Sequence, residues 1–241
     1  MDLAESKEVY FLSDRVNKVG KIWDIRNTKI YLTEEVCQCI LFLHALTGCD
    51  TTSRINGLGK GQAFKKVKAN PTFFKTISAS FLMNSPIPSK ELLSSKGEEA
   101  LACFFGAQPC EGLDLLRFRK FVTKTSRAKE HVQVNSLPPT YAAASYHIFR
   151  VYHQIQQWIG NGLEPTDWGW QLKNDTLVPI KTHLPPAPEE LLKIIRCNCK
   201  QNCESKRCNC KRHDIACSIC CGECRGISCS NSAFGEILDD D

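Results

Sequence analysis

CNCKQNCESKRCNC, residues 197–210, places five cysteines in fourteen positions and twice uses the unit Cys-x-Cys. Whether these thiols oxidise in pairs, cycle as a redox centre or hold metal decides what the C-terminal part of the chain is. A disulfide needs Cβ atoms about 4 Å apart and a restricted dihedral, which closely spaced Cys-x-Cys pairs satisfy poorly. Zinc sets no such torsion and needs four ligands in a tetrahedron, at about 2.3 Å for a thiolate. The run continues as C-x-C-x3-C-x4-C-x-C-x6-C-x3-C-x2-C-x4-C through Cys197, Cys199, Cys203, Cys208, Cys210, Cys217, Cys221, Cys224 and Cys229, with Cys220 as an extra thiol. Ten of the 15 cysteines lie here, which marks a compact module at residues 191–232.

Stoichiometry favours a shared cluster. Three zinc ions require twelve bonds, and nine thiolates supply twelve when three of them bridge two metals and six bind one. Two separate four-thiolate sites would use eight cysteines and leave thiols over; spacing alone leaves that arrangement open. Between Arg196 and Asn231 there are seven bases and three acids, a net charge of +4, against −3 for nine thiolates with three Zn2+. The bases Lys206, Arg207, Lys211 and Arg212 are candidates for phosphate contact. The alternative is that they only offset the anionic cluster.

The pattern CNCKQNC…RCNCKRHDIAC…CGEC…CSN resembles the tesmin/TSO1-like CXC domain over residues 196–231. That resemblance implies a three-zinc cluster with little regular secondary structure, and several members of the family bind DNA. The chain departs from the pattern in having one CXC unit where many DNA-binding members have two. Arg207 stands where an aromatic residue often precedes the second Cys-x-Cys, and the C-terminal cysteines are spread as CxxC plus Cys229.

The remaining sequence is that of a folded protein: 42% hydrophobic, 24% charged, net charge +5. The opening MDLAESKEVYFL has no basic region followed by an apolar one, and no apolar run approaches the roughly 18 residues a membrane helix needs. These features predict an intracellular protein, neither secreted nor embedded in a membrane, with thiols free or metal-bound. Contact with DNA would place it in the nucleus. No small-molecule substrate is evident.

Residues 8–12 and 28–32 read as short strands joined by a polar loop. Thr33 precedes EEVCQCILFLHAL, whose Val36, Cys39, Ile40 and Leu43 recur at helical spacing with Gly48 past the end. Cys37 and Cys39 on one helix point about 200° apart, so core packing is the better reading for them. Further helices are predicted near 61–69, 71–83, 90–106 and 112–124, then a hinge over 125–139. The helix after Thr140 carries an apolar stripe of Ile148, Val151, Tyr152, Ile155, Trp158 and Ile159 and ends at Gly160. A WGW segment, a TLVPI strand, a Pro-rich spacer and an acidic tail over 233–241 complete the chain. The fold class is therefore mainly α with a small β part, divided at 1–130, 131–190, 191–232 and 233–241.

A second motif lies in LHALTGCDTTSRINGLGKGQAF. Its Gly48 and Asp50, and its Gly57-Leu58-Gly59 turn followed by Lys60, resemble the end of the PIN-like (flap-endonuclease-like) nuclease core. That resemblance makes Asp50 a remnant catalytic ligand for Mg2+, and Gly57, Gly59 and Lys60 a nucleic-acid grip. Two-metal cleavage needs several carboxylates, and Asp50 is the one that matches, so the chain reads as catalytically incomplete. HALTGCDTTS, LPPT, RVYxQIQxW, WGW and APEELL together are similar to a group of transposon-derived animal proteins. Three functions follow as expectations: a zinc-binding, DNA-binding protein of transposon origin; a PIN-like nuclease or its remnant; or a zinc scaffold for protein partners. His147 and Arg150, one turn apart, read as a buried polar contact, and Trp168 and Trp170 as packing anchors.

Overall fold

The computed structural model describes residues 8–13, 20–127, 136–184, 197–200, 202–212, 216–217, 221–226 and 229–232, the side chains of 125–127 excepted. Asp14, His131, His213, Cys220, the Pro-rich spacer, most of the 125–139 hinge and the acidic tail lie outside the described residues. The fold is mainly helical with two small antiparallel sheets.

Strands β1 (Tyr10–Leu12) and β2 (Ile22–Asp24) pair in the register Phe11↔Trp23. The second strand is thus not at 28–32; those residues end helix α1 (Ile25–Leu32). Asp24 is the reason. Its carboxylate accepts from the Asn27 backbone at 3.0 Å and from the Asn27 side chain at 2.8 Å, and this N-cap outweighs the strand preference of Ile30 and Tyr31. The single helix expected over 34–46 is two, α2 (Glu34–Gln38) and α3 (Ile40–Leu46). The break is at Cys39, whose amide bonds three residues back to Val36 while its thiol donates to the Glu35 carbonyl at 3.1 Å. Cys39 is fully buried, as its apolar register predicts, and burial pushes its thiol up to about 11.

Helices α4 (Lys60–Ala69), α5 (Pro71–Leu82), α6 (Lys90–Phe104), α7 (Leu113–Arg127) and α8 (Tyr141–Trp158) follow within a few residues of their predicted limits. A 3-10 turn (Pro165–Asp167) leads to strands β3 (Trp170–Lys173) and β4 (Thr176–Pro179). The chain divides into two compact units, Met1–Ala100 with Ser145–Ile180, and Leu101–Ala144 with Lys181–Asp241.

In the first unit, α2 packs on α5, and Phe42 of α3 meets Phe81 of α5 at 4.6 Å between ring centroids. Ile148, Val151, Tyr152 and Ile155 of α8 are buried, and Tyr152 rests against Trp168 at 4.6 Å. Several polar groups on α8 reach backbone carbonyls. Tyr152 donates to Met83, Gln156 to Phe81, and Arg150 to Gly169 and Ile180. His147 Nε2 lies 2.9 Å from the Leu46 carbonyl. These contacts are the buried polar and packing roles read from the sequence.

The second unit buries Leu113 and Leu116 of α7 and anchors that helix through Arg119, which is paired with Glu111 at 2.6 Å. The guanidinium holds the Glu111 carboxyl down at about 2. The same unit contains the cysteine module, whose one described helix is α9 (Asn209–Arg212).

Candidate metal centre

Residues 197–199 have no regular structure and deliver two thiols on one short loop. The amide of Gly222 donates to the Cys197 carbonyl at 2.9 Å, tying this loop to Cys221. Cys208 and Cys210 sit at the start of α9. Two residues apart on helical backbone they diverge, which sends them to different neighbours. Cys217 is held by its own amide, which donates to the Asn231 carbonyl at 2.6 Å, and by a parallel bridge to Ser232.

The thiols of this module form one buried cluster. Cys197, Cys203, Cys208, Cys210, Cys217, Cys221 and Cys224 are at most 4% exposed, and Cys199 and Cys229 pack against them partly buried. Every described cysteine is unbridged. Sulfur atoms approach to 3.5 Å (Cys210 and Cys221), 3.6 Å (Cys197 and Cys224), 3.8 Å (Cys197 with Cys203 and with Cys217) and 3.9 Å (Cys208 and Cys217). These separations are far beyond a disulfide bond of about 2.05 Å. Those of Cys210 with Cys221, Cys197 with Cys203 and with Cys217, and Cys208 with Cys217 match the edge, about 3.8 Å, of a tetrahedron whose centre lies about 2.3 Å from each corner, the geometry of zinc in four thiolates.

Three groups of four sulfurs lie within 4.8 Å of one another: Cys197, Cys210, Cys217 and Cys221; Cys197, Cys203, Cys208 and Cys217; and Cys203, Cys217, Cys224 and Cys229. The groups interlock: Cys197, Cys203 and Cys217 each belong to more than one of them. Cys199 belongs to none of them, yet its thiol interacts with Cys197, Cys203 and Cys208, three members of the second group. If Cys199 takes the place of Cys217 in that group, each sulfur set shares one thiol with each of the others. The shared thiols are Cys197, Cys203 and Cys217; the other six belong to one set each. This is the count of three bridging and six terminal thiolates that the stoichiometry requires.

Burial pushes the Cys203, Cys210 and Cys217 thiols up, and raises Cys199 and Cys224 to about 11. Cys208 goes the other way, to about 7, because the Lys211 amide and three neighbouring thiols outweigh its burial. A set of thiols that resists ionisation while crowded together becomes a set of thiolates when cations supply the missing charge. The arrangement can hold metal ions, and the all-sulfur donor set suits zinc.

Lys206, Arg207 and Arg212 are exposed and Lys211 is half-buried. The Arg212 guanidinium donates to the Lys206 carbonyl at 3.2 Å, which ties α9 to the turn before it.

The GCD segment is arranged differently. Asp50 is exposed in the bend between α3 and α4. Among the described residues, the groups of three or more metal-ligating side chains that converge are those of the cysteine cluster. Gly48, at φ +104°, is required: a Cβ there would stand 2.7 Å from the Arg54 Cα. Gly57 also has positive φ, whereas Gly59 is extended and caps α4 through its carbonyl. Lys60 is not a detached base. Its ammonium donates to His44 Nδ1 at 2.9 Å, and the His44 ring stacks on Trp158 at 5.5 Å. Burial and the Lys60 charge lower the His44 pKa. Sequence reasoning missed this pairing, which no local pattern signals. It also missed which thiols are shared, and the contact of Asn231 with sulfur, Nδ2 donating to Cys217 Sγ at 3.4 Å.

Comparison of the chain with protein-family models, with curated proteins and with solved structures found no match. No described helix is long and apolar enough to cross a membrane.

Proposed function

We propose that the C-terminal module is a three-zinc, nine-thiolate cluster of the tesmin/TSO1-like CXC type, and that the loaded module binds DNA. The interlocking of the three sulfur groups carries the metal reading. Cys197, Cys203 and Cys217 would be the ligands shared between ions, and Cys210 with Cys221, Cys199 with Cys208, and Cys224 with Cys229 would each serve one ion. Zinc contributes charge neutralisation and cross-linking, while the chain contributes the loops that bring the sulfurs together. X-ray absorption at the zinc edge tests this arrangement. A sulfur-only shell at about 2.3 Å with a zinc–zinc vector supports it, whereas the absence of that vector favours separate sites.

The grouping of Lys206, Arg207, Lys211 and Arg212 around the Arg212–Lys206 contact supports the DNA reading. Affinity for duplex DNA falls steeply with salt, and the slope of log K against log[salt] drops by about 0.9 for each phosphate-contacting base neutralised. No retention at low salt leaves the module as a scaffold for protein partners. In this reading the protein is nuclear and of transposon origin, and the GLGK turn assists through Gly57, Gly59 and Lys60. The PIN-like resemblance of Asp50 is the ground for the alternative, a PIN-like nuclease or its remnant; Mg2+-dependent cleavage abolished in Asp50→Asn would establish the active nuclease, and no cleavage would leave the remnant.

A further inference from the structure

We propose that Asn231 is a positioning residue of the metal centre, fixing the Cys217 thiolate as the bridge between two of the three ions; this rests on the three-zinc reading above. Cys217 is the ambiguous sulfur of the cluster. It belongs to all three sulfur groups, lying 3.8 Å from Cys197 Sγ and 3.9 Å from Cys208 Sγ, whereas a bridging thiolate serves two metals. Something must decide which two.

Asn231 is built to do so. The Cys217 amide donates to the Asn231 carbonyl at 2.6 Å, and Cys217 pairs with Ser232 in a parallel bridge, so the two backbones are locked in one register. From that fixed position the Asn231 side-chain amide donates to Cys217 Sγ at 3.4 Å. A bridging sulfur bonded to Cβ and two metals keeps one lone pair. An N–H directed at it fills that valence and withholds the sulfur from a third metal. The Cys208 set is then completed by Cys199, and Cys217 joins the Cys210/Cys221 ion to the Cys224/Cys229 ion. Hydrogen bonds to ligand atoms commonly orient the ligand and set metal affinity in this way.

The test uses Asn231→Asp and Asn231→Ala in the full, zinc-loaded chain. Both remove the N–H donor and keep the backbone bond. Zinc per chain is followed by native mass spectrometry during challenge with EDTA, and 113Cd NMR of the cadmium-exchanged protein gives a signature for each ion. Two ions are expected to leave about 10–100-fold faster than in the wild type, with the third released at the wild-type rate. Two 113Cd resonances should move and one stay. The control Asn202→Ala removes a contact to Ser230 that touches no sulfur, and should release all three ions at the wild-type rate. Uniform acceleration of all three ions, unchanged release, or loss of all three from the purified variants overturns the proposal. A wild-type count other than three overturns the three-zinc reading, and this proposal with it.

Discussion

His147 is nearly fully buried on α8, and burial, with help from the Arg150 charge, lowers its pKa to about 4 despite the bond to the Leu46 carbonyl. The folded protein keeps the ring neutral while the unfolded chain lets it protonate below its ordinary value of 6.5. The unfolded state therefore takes up a proton that the folded state refuses, and stability falls as pH drops from 6.5 towards about 4. At about 1.4 kcal/mol per pKa unit the loss amounts to about 3 kcal/mol. All four tryptophans, Trp23, Trp158, Trp168 and Trp170, lie in the first unit, so urea midpoints read by tryptophan fluorescence isolate this effect from zinc loss. His147→Gln should flatten the profile; an unchanged profile contradicts the assignment. A pair of glycines gives a second check by the same measurement. Gly48→Ala should cost about 1–3 kcal/mol, because φ +104° and the Arg54 backbone exclude a Cβ. Gly59→Ala, with open space at its Cβ, should be close to neutral.

At the scale of elements, α1 has no buried residue, so its stability leans on the Asp24 cap. Asp24→Ala should cost about 1 kcal/mol and speed hydrogen exchange in α1 selectively. Equal exchange in both proteins would show that the cap contributes nothing. The same cap explains why residues 28–32 misled as a strand: Ile30 and Tyr31 carry strand preference, but the deciding signal lies four residues upstream. Helix α8 was legible because its apolar stripe is continuous and its ends are marked by Thr140 and Gly160. The hairpin of β3 and β4 was half legible. Val178 and its neighbours announce β4, while the four residues WQLK are too short a run for their alternation to stand out. The missed signal is Asn174-Asp175, both at positive φ (49° and 55°), the two-residue turn that sets the Lys173↔Thr176 register. In the metal module, the gathering of nine cysteines into one cluster was readable from spacing. The sharing of thiols was not, because it depends on how α9 and the Cys217–Asn231 contact fold the loops together.

At the scale of the whole molecule, the two regions are stabilised by different physics. The first unit buries aromatic and aliphatic side chains on helices, whereas the buried cluster of residues 197–229 is made of thiols. Without metal these thiols offer no cross-link between the loops; metal held among them would supply it. Chelation at neutral pH should therefore make the module sensitive to protease while leaving the tryptophan-detected urea midpoint unchanged. A shift in that midpoint equivalent, through the m-value, to more than a few tenths of a kcal/mol would mean that the first unit depends on the metal.

The most direct test is the number of metal ions carried by the intact chain purified without chelator, counted by native mass spectrometry alongside its free thiols. Three zinc ions per chain, with no disulfide, is the predicted result. Two ions, or a metal-free chain whose C-terminal cysteines are oxidised in pairs, would contradict it.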